Sequence, residues 1–242
     1  MSGTLYVVAT PIGNLEDVTL RALRILGEVG LIAAEDTRTT RKLLSKHGIK
    51  ARLASYHQFS DEGRTRGLLN ALQDHDVALV SEAGMPTISD PGYALVRTAL
   101  DHGFPVTALP GPSAVVTALA VSGLPTHQFV YLGFLPRKPG ERRRTLAALG
   151  EEERTAVAFE SPHRLRRMLE DLNLVLPARP LALCRELTKV HEEVYRGDAA
   201  SALDHFVQPR GEFTVVIGGA GLRAADYWKT GPGENETLSQ RY

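Results

Sequence analysis

The sequence holds a single cysteine, Cys184, and a single tryptophan among its 242 residues. One cysteine cannot form an internal disulfide, which is typical of a reducing compartment. Apolar runs such as residues 5–9 and 77–80 fall far short of the roughly 20 residues that a membrane helix needs. The first residues also lack a basic segment followed by a long apolar one. We therefore expect a cytoplasmic protein with no membrane anchor and no secretion signal.

The sequence has no net charge, because 28 Lys and Arg residues balance 28 Asp and Glu residues. This balance excludes a global polycation, so an anionic partner must be bound by a local basic patch. The composition, with 43% hydrophobic and 23% charged residues, is typical of an ordinary globular protein. The length allows one large domain or two small ones.

Several common catalytic motifs are missing. The sequence has no GxxxxGK[ST] loop for nucleoside triphosphates. Residues 111–115 begin like a nucleophile elbow but lack its second glycine, which argues against a serine hydrolase. The His191-Glu192-Glu193 segment lacks the second histidine of a zinc helix, so we expect no bound metal. Residues 218–221 are rich in glycine, but too little chain follows them for a dinucleotide-binding unit.

Strand and helix patterns alternate along the chain. Short apolar runs predict strands at residues 5–10, 31–34, 77–81, 106–109, 129–134, 156–160, 181–184 and 213–218. Amphipathic patterns lie between most of them, and this alternation predicts two α/β domains with mostly parallel sheets. Turn residues near 112 indicate the boundary between an N-terminal domain (1–112) and a C-terminal domain (113–222). Residues 223–242 lack apolar periodicity and predict a flexible tail.

The candidate site residues follow the predicted strands, where open α/β sheets bind ligands. Residues 10–15 contain a Pro-Ile-Gly turn that can bring the backbone close to a ligand. Residues 81–93 place two prolines and two glycines among polar groups, which favours a shaped binding loop over a passive connection. Glu35 and Asp36 follow the second predicted strand, although Asp36 or Thr37 can instead cap the next helix.

In the second half, polar segments follow three predicted strands at residues 134–136, 160–164 and 185–189. Two interpretations remain open for them: a functional site, or internal ion pairs such as Glu160 with Arg164 and Arg185 with Glu186. The strongest charge cluster of the chain lies nearby and contains Arg137, Lys138, Arg142, Arg143, Arg144, Arg164, Arg166 and Arg167. Arginine matches phosphate geometry, so the cluster predicts binding of an RNA or nucleotide backbone, the alternative being a solvated surface.

Eight motifs occur in the order found in the bacterial small-subunit rRNA cytidine-2′-O-methyltransferases. They are LYVVATPIGNLED, LIAAEDTRTT, VALVSEAGMPTISDPGY, PGPSA, SGLPT, GFLPRK, ESPHRL and RELTK, between about residues 4 and 218. The chain therefore resembles this family of the tetrapyrrole methylase superfamily, the class III methyltransferases. The resemblance implies two α/β domains with S-adenosylmethionine in the cleft between them, and a homodimer. It also implies methyl transfer to the ribose 2′-hydroxyl of a cytidine in the decoding region of 16S rRNA within the small subunit.

By the same resemblance, the cofactor-binding residues are Ile12, Gly13, Gly84, Met85, Ile88, Ser113, Ala114 and Leu135. Met85 departs from the family pattern, which has threonine there. A ribose hydroxyl is a poor nucleophile, so the protein must align it and help to remove its proton. Acidic candidates for this step are Glu35, Asp36, Glu82 and Asp90, and motif position favours Glu35 and Asp36, with Lys189, on the target side. The expected RNA contacts are Arg38, Arg137, Lys138, Arg142, Arg143, Arg164 and Arg185.

Two alternative functions remain open. A tetrapyrrole (precorrin-type) methyltransferase has the same superfamily fold, but such relatives typically carry a GxGxGD-like first loop where this chain has TPIGN. A non-catalytic RNA-binding assembly module needs the basic cluster but not the loops at 10–15 and 81–92. Binding of S-adenosylmethionine discriminates an enzyme from such a module.

Overall fold

The computed structural model describes residues 2–228. Their contacts separate the chain into two compact units, the first ending at Ser113 and the second beginning at Ala114. The division lies one residue beyond the boundary expected from the turn residues near position 112. Each unit has its own sheet and its own apolar core.

The first unit is a parallel sheet of five strands, in the order β3-β2-β4-β1-β5. The strands are β1 Leu5–Val8, β2 Leu31–Ala34, β3 Leu53–Ser55, β4 Val77–Val80 and β5 Val106–Leu109. The helices are α1 Leu20–Glu28, α2 Thr37–Lys46, α3 Glu62–Asp74 and α4 Tyr93–Asp101. Successive side chains of β4 enter different core clusters, Ala78 with α1 and α2, and Leu79 with α3 and α4. Helices therefore cover both faces of the sheet, and the loops at its carboxyl edge are left to form a site.

The second unit contains a five-stranded sheet in the order β6-β7-β10-β8-β9. The strands are β6 Phe129–Phe134, β7 Thr155–Glu160, β8 Leu181–Arg185, β9 Glu193–Gly197 and β10 Phe213–Ile217. The helices are α5 Ala114–Ser122, α6 Pro139–Ala148, α7 Pro162–Val175, α8 Ala199–His205 and α9 Ala224–Tyr227. Only the pair of β6 and β7 is parallel in this sheet, as far as the described chain extends.

The expected class of two α/β domains is confirmed, and within residues 2–228 five of the eight strand pairings are parallel. The three antiparallel pairings all lie in the second unit, which the alternation of strands and helices did not reveal. Residues 186–192 between β8 and β9 are too few for the crossover that parallel neighbours need. Strands β3 and β9 were not predicted, because one is three residues long and the other has charged residues at both Glu193 and Arg196.

The start of the predicted flexible tail is packed against the second unit. Residues 224–227 form α9, the Tyr227 hydroxyl donates to the Gly123 carbonyl at 2.7 Å, and the Trp228 indole donates to the Gly197 carbonyl at 3.0 Å. The remainder of the predicted tail, 229–242, lies outside the described residues. Of the helices described, none has the length and apolar character needed to cross a membrane.

Candidate functional site

The loops that follow β1 and β4 are joined at the carboxyl edge of the first sheet. Thr10 and Gly84 exchange two backbone hydrogen bonds, each 2.9 Å long. Gly84 has a φ of +76°, which favours glycine, and a Cβ there would lie 3.4 Å from Ile12 Cγ2. The structure thus brings together the two loops that the sequence marked as ligand-binding candidates.

A buried hydroxyl within this loop pair lacks a partner. Thr10 is 5% exposed, and its Oγ1 has no hydrogen-bond partner among the residues the structure describes. Buried polar atoms are normally satisfied, so this hydroxyl indicates a place for a polar ligand atom. Thr10 begins the candidate loop at residues 10–15, but no role was predicted for its hydroxyl, although a threonine ending an apolar strand was an available signal. The apolar neighbours in these loops are Ile12 and Met85, both half-buried, and the exposed Ile88.

The second of these loops has a strained backbone. Thr87 has a φ of 76° and Ser89 a φ of 61°, both in the left-handed region that residues with a side chain rarely adopt. Such conformations cost on the order of 1–3 kcal/mol each and tend to occur at functional sites. The Thr87 amide donates to the Pro91 carbonyl at 3.3 Å, which closes the loop on itself. The strain supports a shaped binding loop at residues 84–92.

Three acidic side chains lie at the same edge. Glu35 follows β2, and its Oε2 accepts a hydrogen bond of 3.2 Å from the Glu82 amide. Burial raises the pKa of Asp90 to about 6. The negative charges of Glu35 and Glu82 also raise this pKa, whereas a hydrogen bond from Ser81 lowers it. A carboxylate with a pKa close to neutral is suited to accept a proton at physiological pH.

Asp36 begins the helix that follows β2. Its side chain is the N-cap of α2 and accepts from the Arg38 amide at 2.7 Å and the Thr39 amide at 3.4 Å. The hydrogen bonds from the Arg38 side chain and amide hold the pKa of Asp36 at about 2. Such a carboxylate is a weak base, so the structure supports the alternative interpretation of Asp36 as a helix cap.

Lys189 is held by two carboxylates of the second unit. Its Nζ lies 2.9 Å from Glu186 Oε1 and 2.9 Å from Glu212 Oε2. Burial lowers the pKa of Lys189, but the bonds to Glu212 and Glu186 outweigh it and raise that pKa overall. Lys189 therefore stays cationic and ties the segment after β8 to the residue before β10. This contact indicates a positioning role.

Four of the arginines expected to bind RNA, including Arg143, pair with carboxylates of the second unit. Arg142 is buried and bound by Asp171, so its predicted RNA contact is corrected to a structural one. Arg164 lies 3.3 Å from Glu160 and donates to the Leu135 carbonyl at 2.5 Å, as the internal-pair interpretation expected. Arg185 binds Glu193 at 3.1 Å and the Arg210 carbonyl at 2.7 Å, so its carboxylate partner is not the expected Glu186.

Arginine side chains nevertheless surround a surface cavity of about 570 Å³ in this unit. The cavity is lined by Arg137, Pro139, Arg142, Arg143, Arg164, Arg167, Glu170 and Asp171. Arg137 and Arg167 are exposed, and neither has an ion pair within the described part of the chain. Arg143 is half exposed although it binds Asp171. The cavity therefore has the unpaired positive charge that a phosphate group requires.

The remaining predicted residues occupy varied environments. Gly13 is exposed, and Ser113 and Ala114 are half-buried where α5 begins. The Leu135 side chain is 2% exposed and packs in the core of the second unit, so only its backbone is available to a ligand. Lys138 pairs with Glu141 at 3.4 Å, and Arg38 is 84% exposed although it pairs with Asp36.

Three relatives in sequence carry the same name. A protein from Micromonospora olivasterospora named ribosomal RNA small subunit methyltransferase I is 51% identical over 93% of this chain and 73% of its own length. Proteins of the same name from Thermotoga maritima and Escherichia coli O157:H7 are 48% and 46% identical over 90% of this chain, and the matches cover 99% and 78% of their own lengths.

Solved structures show the same fold at lower identity. The methyltransferase CobJ has a TM-score of 0.70 at 22% identity, covering 96% of this chain and 98% of its own. Uroporphyrin-III C-methyl transferase from Thermus thermophilus, solved with S-adenyl homocysteine, has a TM-score of 0.62 at 22% identity. The match covers 89% of this chain and 97% of that structure's chain. The model of the tetrapyrrole (corrin/porphyrin) methylase family matches residues 4–203. The chain belongs to this methylase family and, within it, to the ribosomal RNA small subunit methyltransferase I enzymes.

Proposed function

We propose that this protein uses S-adenosylmethionine to methylate the ribose 2′-hydroxyl of a cytidine in the decoding region of 16S rRNA within the small ribosomal subunit. The observation that carries the proposal is the 51% identity over 93% of the chain to a methyltransferase named for small-subunit ribosomal RNA. We also propose that the protein acts in the cytoplasm as a homodimer, as the family resemblance implies.

The joined loops after β1 and β4 fit the cofactor. The buried Thr10 Oγ1 has no hydrogen-bond partner among the described residues and can bind a polar atom of the cofactor. Ile12 and Met85 of the same loops offer apolar contacts. We assign the first-unit contacts to Ile12, Gly13, Gly84, Met85 and Ile88, and the others to Ser113, Ala114 and the backbone of Leu135. The two backbone hydrogen bonds between Thr10 and Gly84 hold the loops in one geometry. Because these bonds do not involve the side chain at position 85, Met85 can replace the threonine of the family pattern.

When bound, S-adenosylmethionine supplies a methyl group already activated by its sulfonium charge. The chain must then align the ribose hydroxyl and accept its proton. Glu35, Glu82 and Asp90 remain as candidates for this acceptor, because Asp36 is engaged as a helix cap. We favour Asp90, whose pKa of about 6 arises because burial and the charges of Glu35 and Glu82 disfavour its ionised form.

Arginines of the second unit provide the RNA contacts in this proposal. Arg137 and Arg167 line the cavity with charge free for phosphate, whereas Arg143 and the buried Arg142 line it while bound to Asp171. Arg38 and Lys138 add exposed charge. Lys189 and Arg185 position the segment after β8 through their internal bonds. Reading a cytidine in structured rRNA also requires the base to be unstacked.

Calorimetric titration with S-adenosylmethionine, followed by labelled methyl transfer to unmodified small subunits, tests the proposal. Binding with transfer supports it. Binding without transfer to any subunit preparation, together with transfer to a tetrapyrrole precursor, overturns the substrate. Absence of cofactor binding in folded protein overturns the enzymatic role and favours an RNA-binding assembly module.

A further inference from the structure

Helix α2 presents a continuous basic face. Arg38, Arg41, Lys42, Ser45 and Lys46 follow one another at spacings of three, one, three and one residues, which places them on one side of a helix. The opposite side carries Thr40, Leu43 and Leu44, all buried. Because this apolar side is fixed in the first unit, the helix cannot rotate, and the basic face is held outward.

The basic face keeps much of its charge uncompensated. Its five residues line an open surface depression of about 600 Å³. Arg41 and Lys42 are exposed, and neither forms an ion pair within residues 2–228. Lys46 lies 3.8 Å from Glu16, whose side chain is 79% exposed, so this pair is weak and replaceable. Arg38 pairs with Asp36 at 3.0 Å and also lies within the influence of the Glu82 charge.

The row begins beside the candidate site. Its first member, Arg38, follows Glu35 by three residues, and α2 starts directly after the β2 loop that carries Glu35. At a rise of 1.5 Å per residue, the eight steps from Arg38 to Lys46 span about 12 Å. The row of cations therefore begins at the carboxyl edge of the first sheet and runs away from that edge along α2.

We propose that the α2 basic face binds the phosphate backbone of the RNA substrate. The inference rests on the proposed function and extends the contact proposed for Arg38 to the whole basic face of α2, with Arg41 and Lys42 as its new members. A row of cations along a helix suits a polyanion, and contacts of this kind carry no base preference. The residues lining the depression include no apolar or aromatic side chain, which disfavours insertion into a membrane surface.

The test is binding of a fluorescent 16S rRNA transcript to the full chain, measured by anisotropy at several salt concentrations, with no cofactor added. The variant Arg41→Gln/Lys42→Gln removes two cations of the face. The matched control Arg66→Gln/Arg97→Gln removes two exposed arginines from α3 and α4. We expect the Kd of the first variant to rise about tenfold, and its salt slope to fall by about 1 to 2. The control is expected to keep the wild-type Kd within twofold.

Binding separates this inference from the proposed function. A wild-type Kd and salt slope in Arg41→Gln/Lys42→Gln overturn the inference even if methyl transfer proceeds. An equal rise in Kd for Arg66→Gln/Arg97→Gln also overturns the inference, because RNA binding would then depend on the total charge of the protein and not on the α2 face. Binding of wild-type protein to phosphatidylserine vesicles, with no binding to the transcript, assigns the face to lipid instead. A selective loss of RNA binding supports the inference even if subunits are not methylated.

Discussion

Arg142 and Asp171 form a buried ion pair that links α6 to α7. Arg142 Nε lies 2.7 Å and Nη2 2.6 Å from the same oxygen, Asp171 Oδ2, and both side chains are about 5% exposed. The other oxygen of Asp171 accepts from Arg143 at 2.6 Å. Burial raises the pKa of Asp171, but the two arginines outweigh it and lower that pKa overall. This carboxylate therefore holds the arginine cavity in shape.

Removing the Asp171 charge should destabilise the second unit. Asp171→Asn leaves the buried guanidinium of Arg142 without its counter-charge, which costs about 3–5 kcal/mol in comparable pairs. We expect a loss of this size in the free energy of unfolding, measured by urea denaturation at pH 7. Glu141→Gln breaks an exposed pair and serves as the control, with a loss below about 1 kcal/mol. A loss below 1 kcal/mol for Asp171→Asn would contradict the assigned role.

Replacing Arg167 should weaken RNA binding without changing stability. Arg167 lines the cavity and forms no ion pair in the described chain, so Arg167→Gln removes charge without leaving a buried partner. We expect the KM for small subunits to rise about five- to tenfold with kcat unchanged. Arg144→Gln removes an exposed cation of α6 that does not line the cavity, and its KM should stay at the wild-type value. Equal effects of the two substitutions would argue against a phosphate site in the cavity.

Removing the Thr10 hydroxyl should weaken cofactor binding. Thr10→Val keeps the shape of the side chain and removes the buried oxygen that lacks a partner in the described chain. One hydrogen bond contributes about 0.5–1.5 kcal/mol, so we expect the Kd for S-adenosylmethionine to rise about two- to tenfold. Calorimetry measures the Kd, and urea denaturation should show unchanged or slightly higher stability. Tighter cofactor binding by Thr10→Val would show that the hydroxyl faces no ligand atom.

The Asp90 carboxylate should control the pH dependence of methyl transfer. A proton acceptor must be ionised, so wild-type kcat/KM is expected to rise with pH through the Asp90 pKa of about 6. Asp90→Asn should lower kcat by about 10²–10⁴-fold and remove this rise. The control Asp101→Asn, at an exposed position of α4, should keep the wild-type kcat and the rise of kcat/KM with pH. An unchanged pH profile in Asp90→Asn would transfer the role to Glu35 or Glu82.

Asp90→Asn should also stabilise the protein at high pH. The folded-state pKa of Asp90 is about 6 against an ordinary 3.8, so the folded state disfavours its ionised form. The resulting penalty is absent below pH 4 and complete above pH 6. Because the side chain is partly exposed, we expect a gain of about 1 kcal/mol at pH 8 and none below pH 4. Thermal unfolding of the wild-type protein and Asp90→Asn, at pH 8 and below pH 4, measures this gain in stability.

Local patterns predicted most of the fold. The buried strands β1, β2 and β4 have continuous apolar runs, and their bounds agree with the expected ones to within two residues. Strand β9 was missed because it carries the charged residues Glu193 and Arg196. Glu193 pairs with Arg185 of the neighbouring strand, and Arg196 donates to the Ser122 carbonyl, 74 residues away in the chain. Pairing direction in the second sheet depends on the same long-range contacts, which no local periodicity reveals.

The candidate site was predictable only in part. Spacing after the strands identified the loops at Thr10 and Gly84, since parallel strands end at one edge. The roles of individual charges were not predictable, because they depend on partners remote in sequence. Arg142 is 29 residues from Asp171, and Lys189 is 23 residues from Glu212. The arginine cluster was therefore identified as a group, whereas its buried and exposed members could be separated only in the structure.

The proposed activity of this protein is methylation of a cytidine ribose in small-subunit rRNA. Mass spectrometry of nuclease fragments, after reaction of unmodified small subunits with S-adenosylmethionine, tests it most directly. We expect one added methyl group, carried by the ribose of a single cytidine in the decoding region, and no product with Asp90→Asn at matched time. A methyl group on a base, or on no rRNA nucleotide while the protein binds the cofactor, would contradict it.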